Sequence, residues 1–413
     1  MPVRDSDDPY SFSARSYDWR LHCADEAIEN FLKEEVIRAG AKRAFVVCSK
    51  SITGKTRSVE RIKGTLGNLF AGYYDGIEID STYKSVKAAT DAARAAGADL
   101  LISVGGGSVV VATRVVDVFL CEEGDPFEIM TQYPEGKPAY SPRLNAPKLP
   151  IINIVTTPTS AMNRGGSGLA NPDLDQRMEY FDPKTRPAAL IFDYEAIMSS
   201  PLELMRSTGT GVFSGAIMGA GSTGYNPLAE GDHEHILRLA KRSYLRMFDE
   251  PTAVEPRIDL FIAALLQNRS ADDSLRGAHV RGNEAFGGDY ALATAMHVRY
   301  PHVWQGEAGS SLRPTITRRA PTPPIEAAKR VAVALDIWQD GMGPEDAKMK
   351  IADEIERIYK HVGMPTRVRE LNIPKEDIPV LAKETVKVFN ANAGLRNADQ
   401  QMKGAVDLLE AAW

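Results

Sequence analysis

Cysteine is scarce in this chain: three in 413 residues, at positions 23, 48 and 121. An odd number so widely spaced suits neither a disulfide framework nor a zinc cluster, so the three read as reduced thiols. Basic charge is not in excess either. With 49 Lys and Arg against 55 Asp and Glu, the net charge is −6, which gives no basic face for displacing phosphate counterions and sets nucleic acid aside as a partner. No segment approaches the ~18 consecutive apolar residues of a membrane span. The opening MPVRDSDDPYSFSARSYDW lacks an apolar core and carries early acids, unlike a secretory or transit peptide. A cytoplasmic protein with no membrane partner is expected.

What is present is ordinary globular composition, 43% apolar and 25% charged. The length exceeds the roughly 250–300 residues at which one core stops growing, so two lobes are expected. Residues 24–39 have helical spacing and end at Gly40. AFVVC at 44–48 has the length and branching of a buried strand, and YYDGIEID at 73–80 reads as a second. A helix ending at Gly97 follows, then the strand DLLISV, and later the strand candidates IINIVTT at 151–157 and AALIFDYE at 188–195. Strands alternating with helices imply a parallel sheet covered on its faces. Beyond Pro201 the strand signals nearly vanish, and helices are expected at 234–248, 258–268, 324–338, 344–361 and 376–388. The predicted architecture is α/β plus all-α: residues 1–194 form a nucleotide-binding domain with a parallel sheet, and 195–413 an all-helical substrate domain.

Three motifs carry chemistry. In LISVGGGSVV a buried strand runs into Gly105, Gly106, Gly107 and Ser108 and then an apolar stretch that opens a helix. Glycines let a backbone pass close to a pyrophosphate, and helix-start amides suit an anion. A ligand-free tight turn has the same look, and the GxGxxG fingerprint is absent. In IVTTPTSAMN, Thr156, Thr157, Thr159 and Ser160 follow a strand where open α/β sheets bind ligands, although such a turn also bonds its own backbone. Ser49 and Lys50 lie just past the first strand candidate, where an acid would accept from a ribose 2′-hydroxyl and a Ser-Lys pair favours a 2′-phosphate. That tilts the cofactor toward NADP over NAD.

RSTGTGVFSGAIMGAG at 206–221 is a different puzzle. Gly211, Gly215 and Gly219 recur at four-residue steps, so a helix here has a face without side chains. Histidine is sparse, seven in all including His279. The stretch HVRYPHVWQG brings His297 and His302 near Gln305, but no set of three or four metal ligands assembles from spacing.

Taken in order, these segments resemble the iron-containing (group III) alcohol dehydrogenase family, whose fold is that of dehydroquinate synthase. ISVGGGSVVVATR is similar to the family's GGGSxxDxAK loop, LPIINIVTTPTS to its IPIVTTxxTGSE, and HVGMPTRVRELNI to its LGIPTxLxELGV. RSTGTGVFSGAIM follows TGxDAxxHAxE, and QGEAGSSLRP follows HGxANAxLLP. The resemblance implies a metal held by one aspartate and three histidines, yet those positions fall on Gly211, Gly215, Thr294 (within Ala293–Ala295) and Gln305. No metal is therefore expected. On the cofactor side the family's loop aspartate and lysine become Val111 and Arg114.

The expectation is a metal-independent NAD(P)-dependent oxidoreductase, maleylacetate reductase-like in this respect. It would transfer hydride between nicotinamide and a small molecule with an activated carbonyl, alcohol or conjugated C=C group, in the cleft between the domains. His297, His302, Gln305 and Asn163 are the candidates for stabilising the developing charge. The glycine face is expected to receive substrate or nicotinamide, and family likeness implies a homo-oligomer, a dimer or larger. The alternative is a ligand-binding pseudoenzyme or lyase on the same fold.

Overall fold

The computed structural model describes residues 17–134, 137, 139–174, 177–223, 227–273, 288–386 and 398–413. They divide into two compact units, one over Asp18–Met205 and one from Arg206 onward.

The first unit is built on a six-stranded parallel sheet: β1 (Arg20–Ala24), β2 (Ala44–Cys48), β3 (Phe70–Tyr74), β4 (Leu100–Gly105), β5 (Ile151–Val155) and β8 (Ala189–Asp193), in the order β1-β8-β5-β4-β2-β3. β6 (Gly166–Leu169) and β7 (Met178–Phe181) form a separate antiparallel ribbon. β2, β4, β5 and β8 are buried at every position, which is why they stand out as unbroken apolar runs. The helices are α1 (Ala27–Arg38), α2 (Lys50–Lys55), α3 (Ser58–Leu66), α4 (Tyr83–Ala95), α5 (Gly107–Cys121), α6 (Pro126–Ile129) and α7 (Tyr194–Met198). Ile28 and Leu32 of α1 and Ile62 of α3 cover one face of the sheet. Val86 and Ala89 of α4 and Val115 and Val116 of α5 cover the other. Because β4 and β5 are neighbours, the loops that follow them leave the sheet together, and Thr156 N donates to Gly105 O at 3.0 Å.

The second unit is helical throughout its described residues: α8 (Leu202–Ala220), α9 (Pro227–Asp249), α10 (Glu255–Asp273), α11 (Tyr290–Arg299), α12 (Gln305–Arg319), α13 (Ile325–Ala334), α14 (Pro344–His361), α15 (Ile378–Thr385) and α16 (Ala398–Ala412). Among the described residues no helix is long and apolar enough to cross a membrane. His279 lies outside them.

Several elements differ from the sequence reading. The second strand runs Phe70–Tyr74 rather than 73–80; past it Asp75 accepts from Thr53 Oγ1, and the chain turns through positive φ at Asp80 and Ser81 (62° and 55°). The helix expected over 324–338 ends at Ala334. β1 and the β6–β7 ribbon are absent from the sequence reading, and α11 and α12 lie in the region it reads as helical without being placed individually.

Inside α5, Asp117 has no exposed surface. Its Oδ1 accepts from Leu149 N (2.9 Å) and Cys121 Sγ (3.4 Å), while Oδ2 has no hydrogen-bond partner among the described residues. Burial pushes this carboxyl up to about 7. In the unfolded chain it ionises near ~3.9, so its favourable contribution is complete below that value and is lost as pH rises through about 7. Asp117→Asn keeps the acceptor and cannot ionise. Urea denaturation should find it more stable than the parent at pH 8, on the order of 2–4 kcal/mol, with the gap closing toward pH 4; a gap independent of pH would contradict this account.

Candidate functional site

At the carboxyl edge of the sheet the backbone of Gly105–Ser108 is bare by necessity. Gly105 has φ +153°, and a Cβ there would lie 2.7 Å from Val109 Cγ2. A Cβ on Gly106 or Gly107 would come within 3.0 Å of Thr157 Oγ1 or Thr159 Oγ1. The glycines and the threonines of the two loops therefore face one another, and α5 begins at Gly107 with its first amides unpaired by the helix itself. Ser108 is tied to the 80–81 turn: its Oγ accepts from Asp80 N (3.1 Å) and its carbonyl from Ser81 Oγ (2.6 Å). Thr159 Oγ1 accepts from Ala161 N (3.1 Å), capping the 3₁₀ turn Ser160–Asn163. Beyond β2, Ser49 Oγ and Ser51 Oγ share a hydrogen bond (2.9 Å), and exposed Lys50 opens α2. Asp75, not singled out in the sequence, accepts from Thr53 Oγ1 at 2.9 Å, and its neighbour Gly76 bridges to Ser49.

The turn carrying Asn163 is held from behind. Four successive carbonyls each accept from a side chain: Ala161 O from Arg114 (2.7 Å), Met162 O from Asn153 (2.7 Å), Asn163 O from Arg186 (2.9 Å), and Arg164 O from Arg114 again. Arg114 Nε also donates to Ser167 Oγ (3.1 Å). Arg114 is 2% exposed. Burial, with Arg186 and Arg164 nearby, brings its pKa down to about 9, which leaves it charged at neutral pH.

In the helical unit the glycines of α8 answer to packing. A Cβ on Gly209 would meet Tyr244 and Leu260 at 2.9 Å, and one on Gly215 would collide with Gln267 Oε1. Gln267 is fixed there because its Nε2 donates to Val212 O (2.7 Å). His233 lies 3.6 Å from the Cβ position of Gly219, while nothing lies within 4 Å of that on Gly211. Burial and then Arg330 push His233 down to about 4, so it is neutral. On α12, Gly306 packs directly on Ser207 O, and its neighbour Gln305 donates from Nε2 to Thr294 Oγ1 (3.3 Å). His297 Nδ1 lies 2.7 Å from Val303 O; a carbonyl only accepts, so Nδ1 carries the hydrogen. His302 is bound the opposite way, Nε2 to Leu371 O at 3.1 Å, and lines an open depression of about 430 Å³ with Glu307 and Glu370. Of the four catalytic candidates, His297, His302 and Gln305 belong to the helical unit and Asn163 to the sheet unit.

Comparison with known proteins places this geometry in a lineage. The description "Iron-containing alcohol dehydrogenase" matches residues 20–194, and "Fe-containing alcohol dehydrogenase family, C-terminal" matches 207–413. The chain belongs to the iron-containing alcohol dehydrogenase family. It is 24% identical to lactaldehyde reductase of Escherichia coli (strain K12) over 92% of this chain and 95% of that protein. It is 26% identical to maleylacetate reductase 2 of Cupriavidus pinatubonensis (strain JMP 134 / LMG 1197) over 65% and 67%. The solved alcohol dehydrogenase from Oenococcus oeni shares its fold at a TM-score of 0.81 and 18% identity, covering 98% of this chain and 100% of that one.

The ligand positions that the family resemblance assigns do not fit iron. Gly211 and Gly215 offer no donor, Thr294 and Gln305 bond to each other, and Gln267 fills the space over Gly215. Among the described residues no three His, Cys, Asp or Glu side chains converge. The expected bare face is also narrower than the sequence suggested: two of its three glycines are covered, and only Gly211 is open.

The carbonyl clamp generates a prediction. Arg114→Met strips three hydrogen bonds from the 161–167 segment and should destabilise the fold by roughly 2–4 kcal/mol, measured as a lower urea midpoint at unchanged slope; an unchanged midpoint would show that the clamp is dispensable.

Proposed function

We propose that this chain is a metal-independent NAD(P)-dependent oxidoreductase acting on a small molecule with an activated carbonyl, alcohol or conjugated C=C group. The observation that carries the reading is the Gly105–Gly107 backbone, held bare against Thr157 and Thr159 at the start of α5. This arrangement fits a dinucleotide pyrophosphate. Gly105, Gly106, Gly107, Ser108, Thr156, Thr157, Thr159 and Ser160 would hold the phosphates, and Ser49 and Lys50 the adenosine ribose. Lys50 favours a 2′-phosphate and Asp75 opposes it, so both nucleotides are expected to bind, NADPH the tighter. The nicotinamide, when bound, gives or takes the hydride.

The chain's own part is to hold the substrate oxygen and move a proton. With no Lewis acid supported by the donor set, hydrogen-bond donors must stabilise developing charge. His297 is the foremost candidate, since its Nδ1–H is fixed on Val303 O, which orients Nε2 for proton exchange. Gln305 supplies a neutral donor. His302, with Nε2 engaged on Leu371 O, and Asn163 are the supporting candidates. The reading as a ligand-binding pseudoenzyme is favoured by one observation, Gln267 over Gly215.

Fluorescence titration with NADH and NADPH, combined with elemental analysis of the purified protein, tests the reading. Saturable binding is expected with less than stoichiometric iron or zinc; no binding of either nucleotide, or one metal per chain, would sink it. Gly106→Val should weaken both nucleotides by more than about tenfold, since its side chain must enter the space held by Thr157. His297→Ala should slow nucleotide turnover by about 10²–10⁴-fold with nucleotide affinity preserved, and an unchanged rate would remove His297 from the proton-transfer role.

A further inference from the structure

The helical unit buries a charge at a place where the family's sequence pattern has none. In QGEAGSSLRP, Arg313 occupies the second leucine of HGxANAxLLP, and its side chain is fully buried. Among the described residues its contacts meet at one carboxylate oxygen. Arg313 Nη2 lies 2.8 Å and Nε 3.2 Å from Asp289 Oδ2, Nε also donates to Ser214 Oγ at 2.9 Å, and Ser214 Oγ donates to the same Asp289 oxygen at 2.9 Å. Tyr359 of α14 is packed against this cluster, its hydroxyl raised well above the ordinary phenol range by burial.

The three residues come from three elements. Ser214 is on α8, beside Gly215; Asp289 directly precedes α11, which carries Thr294; Arg313 is on α12, which begins with Gln305. These are the helices that carry the four positions where the family resemblance assigns metal ligands. A metal held by them would bind the three helices together, and here they share a buried guanidinium and carboxylate instead.

We infer that the Arg313–Asp289–Ser214 cluster has taken over from a metal ion the task of holding α8, α11 and α12 in register, so that Thr294, His297 and Gln305 keep their places without a bound cation. The inference rests on the metal-independent reading above and adds the residues that make it structurally possible. Arg313 is a positioning residue in this scheme. A buried ion pair contributes little net stability compared with a well-packed apolar pair, but removing one partner strands the other charge. Specific register, rather than net stability, is what such a pair supplies.

A double-mutant cycle on the full chain tests this. Arg313→Leu and Asp289→Leu should each lower Tm by about 5–15 °C, whereas the double variant should regain at least half of the summed loss; additive losses would overturn the inference. Hydrogen exchange supplies the local readout. In the double variant, peptides from 207–216, 290–299 and 305–316 should exchange at least about tenfold faster, with 100–121 in the sheet unit unchanged; native protection in all three helical segments would overturn it too. Arg313→Lys, which retains the charge, should restore protection partly and serves if the leucine variants do not fold. The parent's Tm should not respond to EDTA or to added Co²⁺. A fall in Tm on chelation would overturn the metal-independent reading together with this inference, whereas additive losses with a chelator-insensitive parent would overturn this inference alone.

Discussion

A guanidinium with no access to water keeps its charge and obliges its surroundings to supply acceptors. Each unit of this protein is organised round one such group. In the sheet unit Arg114 has no carboxylate within hydrogen-bonding reach among its described contacts and settles on carbonyls and a hydroxyl of the segment after β5. In the helical unit Arg313 takes a carboxylate and a serine. The first arrangement fixes the shape of a loop, the second the spacing of helices. Arg114 holds the segment that carries Asn163, and Arg313 ties together elements that carry Thr294 and Gln305.

The parallel sheet was legible because its central strands are buried on both faces and so appear as apolar runs. β1 was not, since RLHCA is only partly buried and carries an Arg and a His, both bonded to Glu35. α12 escaped for a different reason. Its QGEAGSSLRPTITRR is buried over most of its length, contains Pro314, and has small and polar residues where an amphipathic stripe would be sought. Helical periodicity finds surface helices, and α12 is an interior one.

The site divides along the same line. The GGGS loop and the threonines could be found from sequence because they follow strands directly and their glycines are contiguous. Arg114, Asp289, Arg313 and Gln267 could not, because their partners lie 24 to 99 residues away in the chain, and no local pattern encodes such a meeting. The glycines of α8 were visible, but their reason was not. Tyr244, Leu260 and Gln267 press against that helix, and only the folded unit reveals them.

Those glycines also bear on the order in which the protein assembles. A segment with Gly209, Gly211, Gly215 and Gly219 has poor intrinsic helicity and a flexible unfolded state, each glycine adding roughly 0.5–1 kcal/mol against helix formation. Nucleation of such a helix in isolation is unfavourable. α8 can therefore become helical only as Tyr244, Leu260 and the backbone of Gly306 close on it. The contacts of α8 with α9, α10 and α12 are then absent from any partly folded form, and this helix comes into being together with the core that covers it.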